Sequence, residues 1–177
     1  MSTDTRLWLI PVAAVAVASS AQAKVYLSAE QAQAVLFPGA TCTAADLTLS
    51  AAQIAAIQKQ SGQRVLSPRL HAWRVSTGGW FIVDQVIGKH EFITYALGLD
   101  AGGSITGIEI LEYRESYGGE VRDPQWRAQF LGKRNGAKVQ VGSDIRNIAG
   151  ATLSSKHIAD GVRRLLATHA LALTSAT

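Results

Sequence analysis

Asn147-Ile148-Ala149-Gly150-Ala151-Thr152-Leu153-Ser154-Ser155 is the stretch of this 177-residue chain where groups able to do chemistry stand closest together: a run of small residues carries three hydroxyls to the expected start of a helix. The first amides of a helix have no intrahelical acceptor and lie at the positive end of its dipole, so an anion there is stabilised by about 0.3–1 kcal/mol. A phosphate suits such a place. Gly150 and the flanking alanines leave the Thr152 hydroxyl open, and Lys156, within the first turn, adds positive charge. The same pattern also serves as a plain loop and helix cap.

Other candidates are weaker. The polar loop Glu115-Ser116-Tyr117-Gly118-Gly119 offers a carboxylate that reads either as a general acid or as a solvated side chain. Tyr117 and Trp126 are aromatic groups suited to stacking, and Trp126 fits equally well in a core. His71, His90, His157 and His169 are scattered without metal-ligand spacing and read as solvated or structural. Arg163 and Arg164 are expected on the solvated side of the last helix. Cys42 is the only cysteine, which excludes an internal disulfide and a Cys-x-x-Cys-His haem attachment; it reads as a small buried hydrophobe. Redox work in this chain requires some other cofactor.

The elements that must position these residues follow from local pattern. Ser28-Ala-Glu-Gln31 and Ser50-Ala-Ala-Gln53 are capping boxes opening two helices, the first stopped by Phe37-Pro38-Gly39-Ala40 and the second by Ser61-Gly62. Residues 24–69 are thus expected to form a helical N-terminal segment of the same domain. Alternation and β-branched runs then predict strands over Ala72–Ser76, Trp80–Ile87, Phe92–Asp100 and Ile105–Tyr113 in an antiparallel meander. Asp123-Pro124 starts a short helix with Trp126, Phe130 and Leu131; a last strand is expected over Ala137–Val141. The final helix, from about Leu153–Ser155 to Leu173, places Ile158, Val162, Leu165, Leu166, Ala170 and Leu173 on one face. The fold class expected is α+β, a twisted antiparallel sheet with packed helices, with residues 70–177 as its core.

Composition narrows the function. Charged residues are 17% of the chain, below the usual share of about 25%, while hydrophobic residues are 47%, so a core can form and fibrous or disordered classes drop out. The net charge of +4 is not gathered into a basic stripe interleaved with aromatics, so nucleic acid is not an expected partner. At the N-terminus, Arg6 precedes the apolar run Leu7 to Ala18 and then Ser19-Ser20-Ala21-Gln22-Ala23, with small residues where a leader peptidase requires them. This predicts a signal peptide over residues 1–23 and a periplasmic or otherwise extracytoplasmic protein; anchoring by residues 7–18 is the minority alternative.

The stretch around Thr152 resembles the flavin-attachment motif of the FMN-binding domain family, which includes the covalently flavinylated subunits of sodium-pumping quinone reductase and Rnf-type ferredoxin oxidoreductases. Gly150-Ala151-Thr152-Leu153-Ser154-Ser155 matches the motif's Gly-Ala-Thr and following residues. Residues from Gly88-Lys89 to Glu112 resemble the family's paired strands, Glu115 to Gly119 its Glu-Thr-x-Gly-x-Gly loop, and Phe130, Gly132 and Lys133 its Phe-x-Gly-Lys. Two positions depart from it: Arg146 stands where the family has Asp, with Asp144 two positions earlier, and Ala149 stands where it has Ser or Thr.

The resemblance implies an electron-transfer flavoprotein, a carrier more than a substrate-specific oxidoreductase, with FMN esterified through its phosphate to Thr152 by a separate flavin transferase. It implies cofactor contacts from Gly150, Ala151, Leu153, Ser154 and the Glu115–Gly119 loop (Glu115, Ser116, Tyr117, Gly118 and Gly119), and redox partners at the membrane or outside the cytoplasm. Arg146 either weakens recognition by the transferase or serves as a bidentate donor to the phosphate. A cofactor-free partner-binding or structural module with a decayed motif is the alternative.

Overall fold

The computed structural model describes residues 24–174. The expected leader and its apolar run lie outside the described residues.

Both capping boxes form. In α1 (Ala29–Leu36) and α2 (Ala51–Ser61) the cap serine accepts from the third helical amide while the Gln side chain reaches back to the cap amide. Gly62 ends α2 in the left-handed region. Three short strands also lie in this region, β1 (Lys24–Val25), β2 (Cys42–Ala44) and β3 (Leu47–Thr48), so it is stitched into the sheet and not merely helical. The meander follows as β4 (Arg69–Val75), β5 (Trp80–Ile87), β6 (Phe92–Leu99) and β7 (Ile105–Tyr113). Strand order is β1-β7-β6-β5-β4-β2 with β3 also on β4, every pairing antiparallel. One curled sheet with four helices makes a single α+β domain, as expected.

Asp123 caps α3 (Pro124–Arg127), which runs on as a turn of 3-10 helix over Ala128–Phe130. The expected strand over Ala137–Val141 does not form; the segment is a loop with one isolated bridge between Val141 and Ile145. α4 (Thr152–Thr168) begins earlier than expected and continues as a π-helical turn over His169–Leu173.

The sheet is covered on both sides, which explains why β6 is buried from Tyr95 to Leu99 without alternation. Ile82, Tyr95, Leu97, Ile108 and Ile110 belong to the main core with Ile158, Val162, Leu165 and Trp126 of the helices. Ala32 and Phe37 cover Phe81, Ala96 and Leu111 in a second core. Cys42, only half-buried, packs against this second cluster; burial raises its thiol pKa. The two arginines of α4 are not solvated as expected. Arg164 is 7% exposed and bonds Asp84 Oδ2 at 2.6 Å and the carbonyls of Arg64 and Gln85, while buried Tyr95 donates to the same Asp84 oxygen at 2.8 Å. Arg163 donates to the carbonyls of Ser61 and Val139 and to Asp160.

Candidate functional site

Thr152 is the first residue of the 17-residue α4, and not in the loop before it. Gly150, at φ +83°, turns the chain into the helix, and Ala151 occupies the cap position with no side chain to offer. The first-turn amides of Thr152, Leu153 and Ser154 therefore have neither an intrahelical acceptor nor a side-chain cap, unlike the amides that Ser28 and Ser50 satisfy in α1 and α2. Thr152 itself is exposed, and Asn147 Nδ2 donates to its Oγ1 at 3.1 Å.

The glycine loop is braced against this helix start. The Tyr113 hydroxyl, at the end of β7, donates to the carbonyl of Tyr117, so its single proton is used and the Ser154 hydroxyl, 2.9 Å away, donates to the Tyr113 oxygen. Burial, opposed more weakly by the bond from Ser154, raises the Tyr113 pKa and keeps the phenol a donor. Gly118 sits between them at φ +95°, where an added Cβ would overlap the Tyr113 hydroxyl. Tyr117 is left 86% exposed.

Glu115 is neither a free acid nor simply solvated. Burial opposes its ionisation, yet the amides of Glu91, His90 and Lys89 donate to it and hold its pKa below the ordinary value. A carboxylate so held clamps the β5–β6 turn beside the glycine loop. His157 closes the same turn from α4 through a 3.1 Å bond with the Gly88 carbonyl.

Between these parts lies a cleft of about 570 Å³ lined by Lys89, His90, Glu115, Ser116, Tyr117 and Gly150 through Ser154. This falls in the range of small-molecule and cofactor sites, about 300–1,000 Å³. A second hollow of about 480 Å³ shares Glu115 to Tyr117 and Gly150 and adds Gly118, Gly119, Lys24, Tyr26, Tyr113 and Glu120; the Arg122 guanidinium stacks 3.6 Å from the centre of the Tyr26 ring. The expected residues of the two motifs are thus brought together across the cleft from one another.

Three others fall elsewhere. Lys156 is committed to Asp160 at 2.7 Å and lines a different hollow, on the far side of Thr152 and Asn147. Arg146 is exposed and not among the cleft-lining residues; its amide donates to Gln129 Oε1 and its carbonyl accepts from Trp126 Nε1. Trp126 is a core residue, edge-on to Phe130 with ring centres 5.1 Å apart. Sequence reasoning missed Asn147 and Tyr113 as site residues. Tyr113 was legible only as the end of a strand, and a lone Asn five residues before a Thr carries no signal of its contact.

Residues 88–167 match the family model of the FMN-binding domain. This segment is an FMN-binding domain. The matched span includes the Glu115–Gly119 loop, Asn147 and Thr152. No curated protein matches the chain. The protein is accordingly flavin-binding, and the residues of the FMN-binding domain suit the cofactor's anionic end: bare helix amides, an open hydroxyl and a glycine turn with nothing within 4 Å of a Cβ at Gly150. Among the described residues no group of three or more His, Cys, Asp or Glu can hold a metal, and no helix is long and apolar enough to cross a membrane.

Proposed function

We propose that the protein is an exported electron-transfer flavoprotein whose FMN is esterified through its phosphate to Thr152. The observation that carries this reading is the bare start of α4: an exposed hydroxyl stands on a first turn whose amides lack a cap, beside a cofactor-sized cleft. Bound FMN supplies reversible electron transfer. The amides of Leu153 and Ser154 favour phosphate charge, Gly150 leaves room for it, and the Tyr113–Ser154 brace keeps the Glu115–Gly119 loop against the helix. Glu115 fixes the Lys89–Glu91 rim.

Export is supported by the tripartite sequence of residues 1–23. A covalent link suits that compartment, because a cofactor that dissociates outside the cytoplasm is diluted away whereas an ester keeps its effective concentration high. The partners are then a flavin transferase for maturation and redox proteins at the membrane or outside the cytoplasm. The departures at Arg146 and Ala149 favour the second reading, a module that binds a partner without a cofactor.

One experiment separates them. Protein exported from its own host should begin at Lys24, carry the mass of one FMN ester and fluoresce on a denaturing gel; Thr152→Ala should lack both mass and fluorescence while remaining folded. Equal fluorescence from Thr152→Ala overturns the attachment site, and a label on Ser154 shifts its register. A wild-type protein that binds no flavin in any form leaves the cofactor-free module standing.

A further inference from the structure

We infer that Asn147 is the residue that presents the Thr152 hydroxyl for ester formation; the inference rests on the proposed ester at Thr152. Asn147 is held at both ends. Its Nδ2 donates to Thr152 Oγ1 at 3.1 Å, and its Oδ1 lies 3.2 Å from the hydroxyl of fully buried Ser155, which also reaches the Ala151 carbonyl at 2.9 Å. Ser155 has one hydroxyl proton, shared with the carbonyls of Ala151 at 2.9 Å and Thr152 at 3.1 Å, so its contact with Asn147 is the longest of the three; the amide stands with Nδ2 toward Thr152 Oγ1, and only that end can donate. With one lone pair of Oγ1 occupied by Asn147, the remaining lone pair and the proton of the exposed hydroxyl are left to face the cleft and solvent.

The neighbouring candidates are employed elsewhere. Asp144 takes the Lys133 ammonium at 2.8 Å and the amides of Val139 and Gln140. Arg146 is tied by its backbone to Gln129 and Trp126 and lies off the cleft.

The step that Asn147 assists conserves atoms and oxidation states. A phosphoanhydride of FMN delivered by the transferase is the donor, because an unactivated phosphate does not esterify a hydroxyl in water. A bond forms between Thr152 Oγ1 and phosphorus, the anhydride P–O bond breaks, and its oxygen departs with the electron pair. The hydroxyl proton passes to a base of the transferase. An amide neither gives nor takes that proton at neutral pH, so Asn147 is a positioning residue: its N–H aims Oγ1 and strengthens as a donor while negative charge grows there.

The test is the rate of FMN transfer onto the full mature chain, followed by intact mass with the modified peptide mapped, at varied protein concentration and fixed transferase. Asn147→Ala should lower the saturated rate about tenfold, the effect of losing one strengthened hydrogen bond, with KM for the protein and the melting temperature unchanged. Asn147→Asp, which keeps the shape and the Ser155 acceptor but loses the donor, should be equally slow. Arg146→Ala should stay within about twofold of wild type. A wild-type or faster rate from Asn147→Ala or from Asn147→Asp overturns the inference while leaving the ester in place. Absence of the FMN mass from Thr152 in the wild type overturns the ester reading, and with it this inference.

Discussion

Gly118 and Gly150 both have left-handed backbone, at φ +95° and +83°, but their surroundings separate two costs of losing a glycine. At Gly150 an added Cβ meets nothing within 4 Å, so Gly150→Ala should cost only the conformational penalty, about 1 kcal/mol. At Gly118 the new methyl would overlap the Tyr113 hydroxyl and come within 3.0 Å of Ser154 Oγ, so overpacking adds and the total should reach about 2–4 kcal/mol. Thermal unfolding of the two variants measures the difference, and equal losses would mean that the brace yields easily. The sequence marks Gly118-Gly119 as a turn, but a pair of glycines says nothing about a tyrosine five residues upstream in a strand. The contact that makes Gly118 irreplaceable comes from how β7 and α4 meet, which is a tertiary fact.

Helices with their own start signals were legible, because the capping boxes at Ser28 and Ser50 involve residues only three apart. So were the strands of the meander, set by alternation and glycine turns. The segment Ala137–Val141 was misread for a related reason: alternating apolar residues suggest a strand, yet Val139 is fully buried at φ +42°, a conformation that a β-branched residue rarely adopts. Asp144 imposes it, by accepting from the Val139 and Gln140 amides while paired to Lys133. Burial works to raise the Asp144 pKa, but the bonds from Lys133 and the two amides lower it from 3.8 to about 2. The unfolded chain therefore binds a proton at this group before the folded one does. Its contribution is complete above about pH 3.8 and is lost as the pH falls toward 2. Wild type should thus lose stability across that window more steeply than Asp144→Asn, which starts less stable at neutral pH; parallel acid-unfolding curves from circular dichroism would contradict this.

Across the whole molecule, α4 is held to the sheet by the Arg164–Asp84–Tyr95 cluster in its middle and by packing along its length. Arg164→Met should cost about 2–3 kcal/mol, measured by urea unfolding, since it strands the Asp84 carboxylate and frees two carbonyls. Loss of one partner of a fully buried pair costs about 3–5 kcal/mol, and the lower figure reflects the 22% exposure of the Asp84 side chain. The helix so fixed runs antiparallel to β7: Ser154 meets Tyr113 at one end, and the His169 ring fills the space above Gly103 at the other. β1 pairs Lys24 with Tyr113, so the first described residue lies at the end of β7 that carries the Ser154 brace, and Lys24 lines the second hollow. A tether joined ahead of Lys24 therefore emerges beside that hollow and crowds it, on the side where Glu115 to Tyr117 and Gly150 also face the cleft.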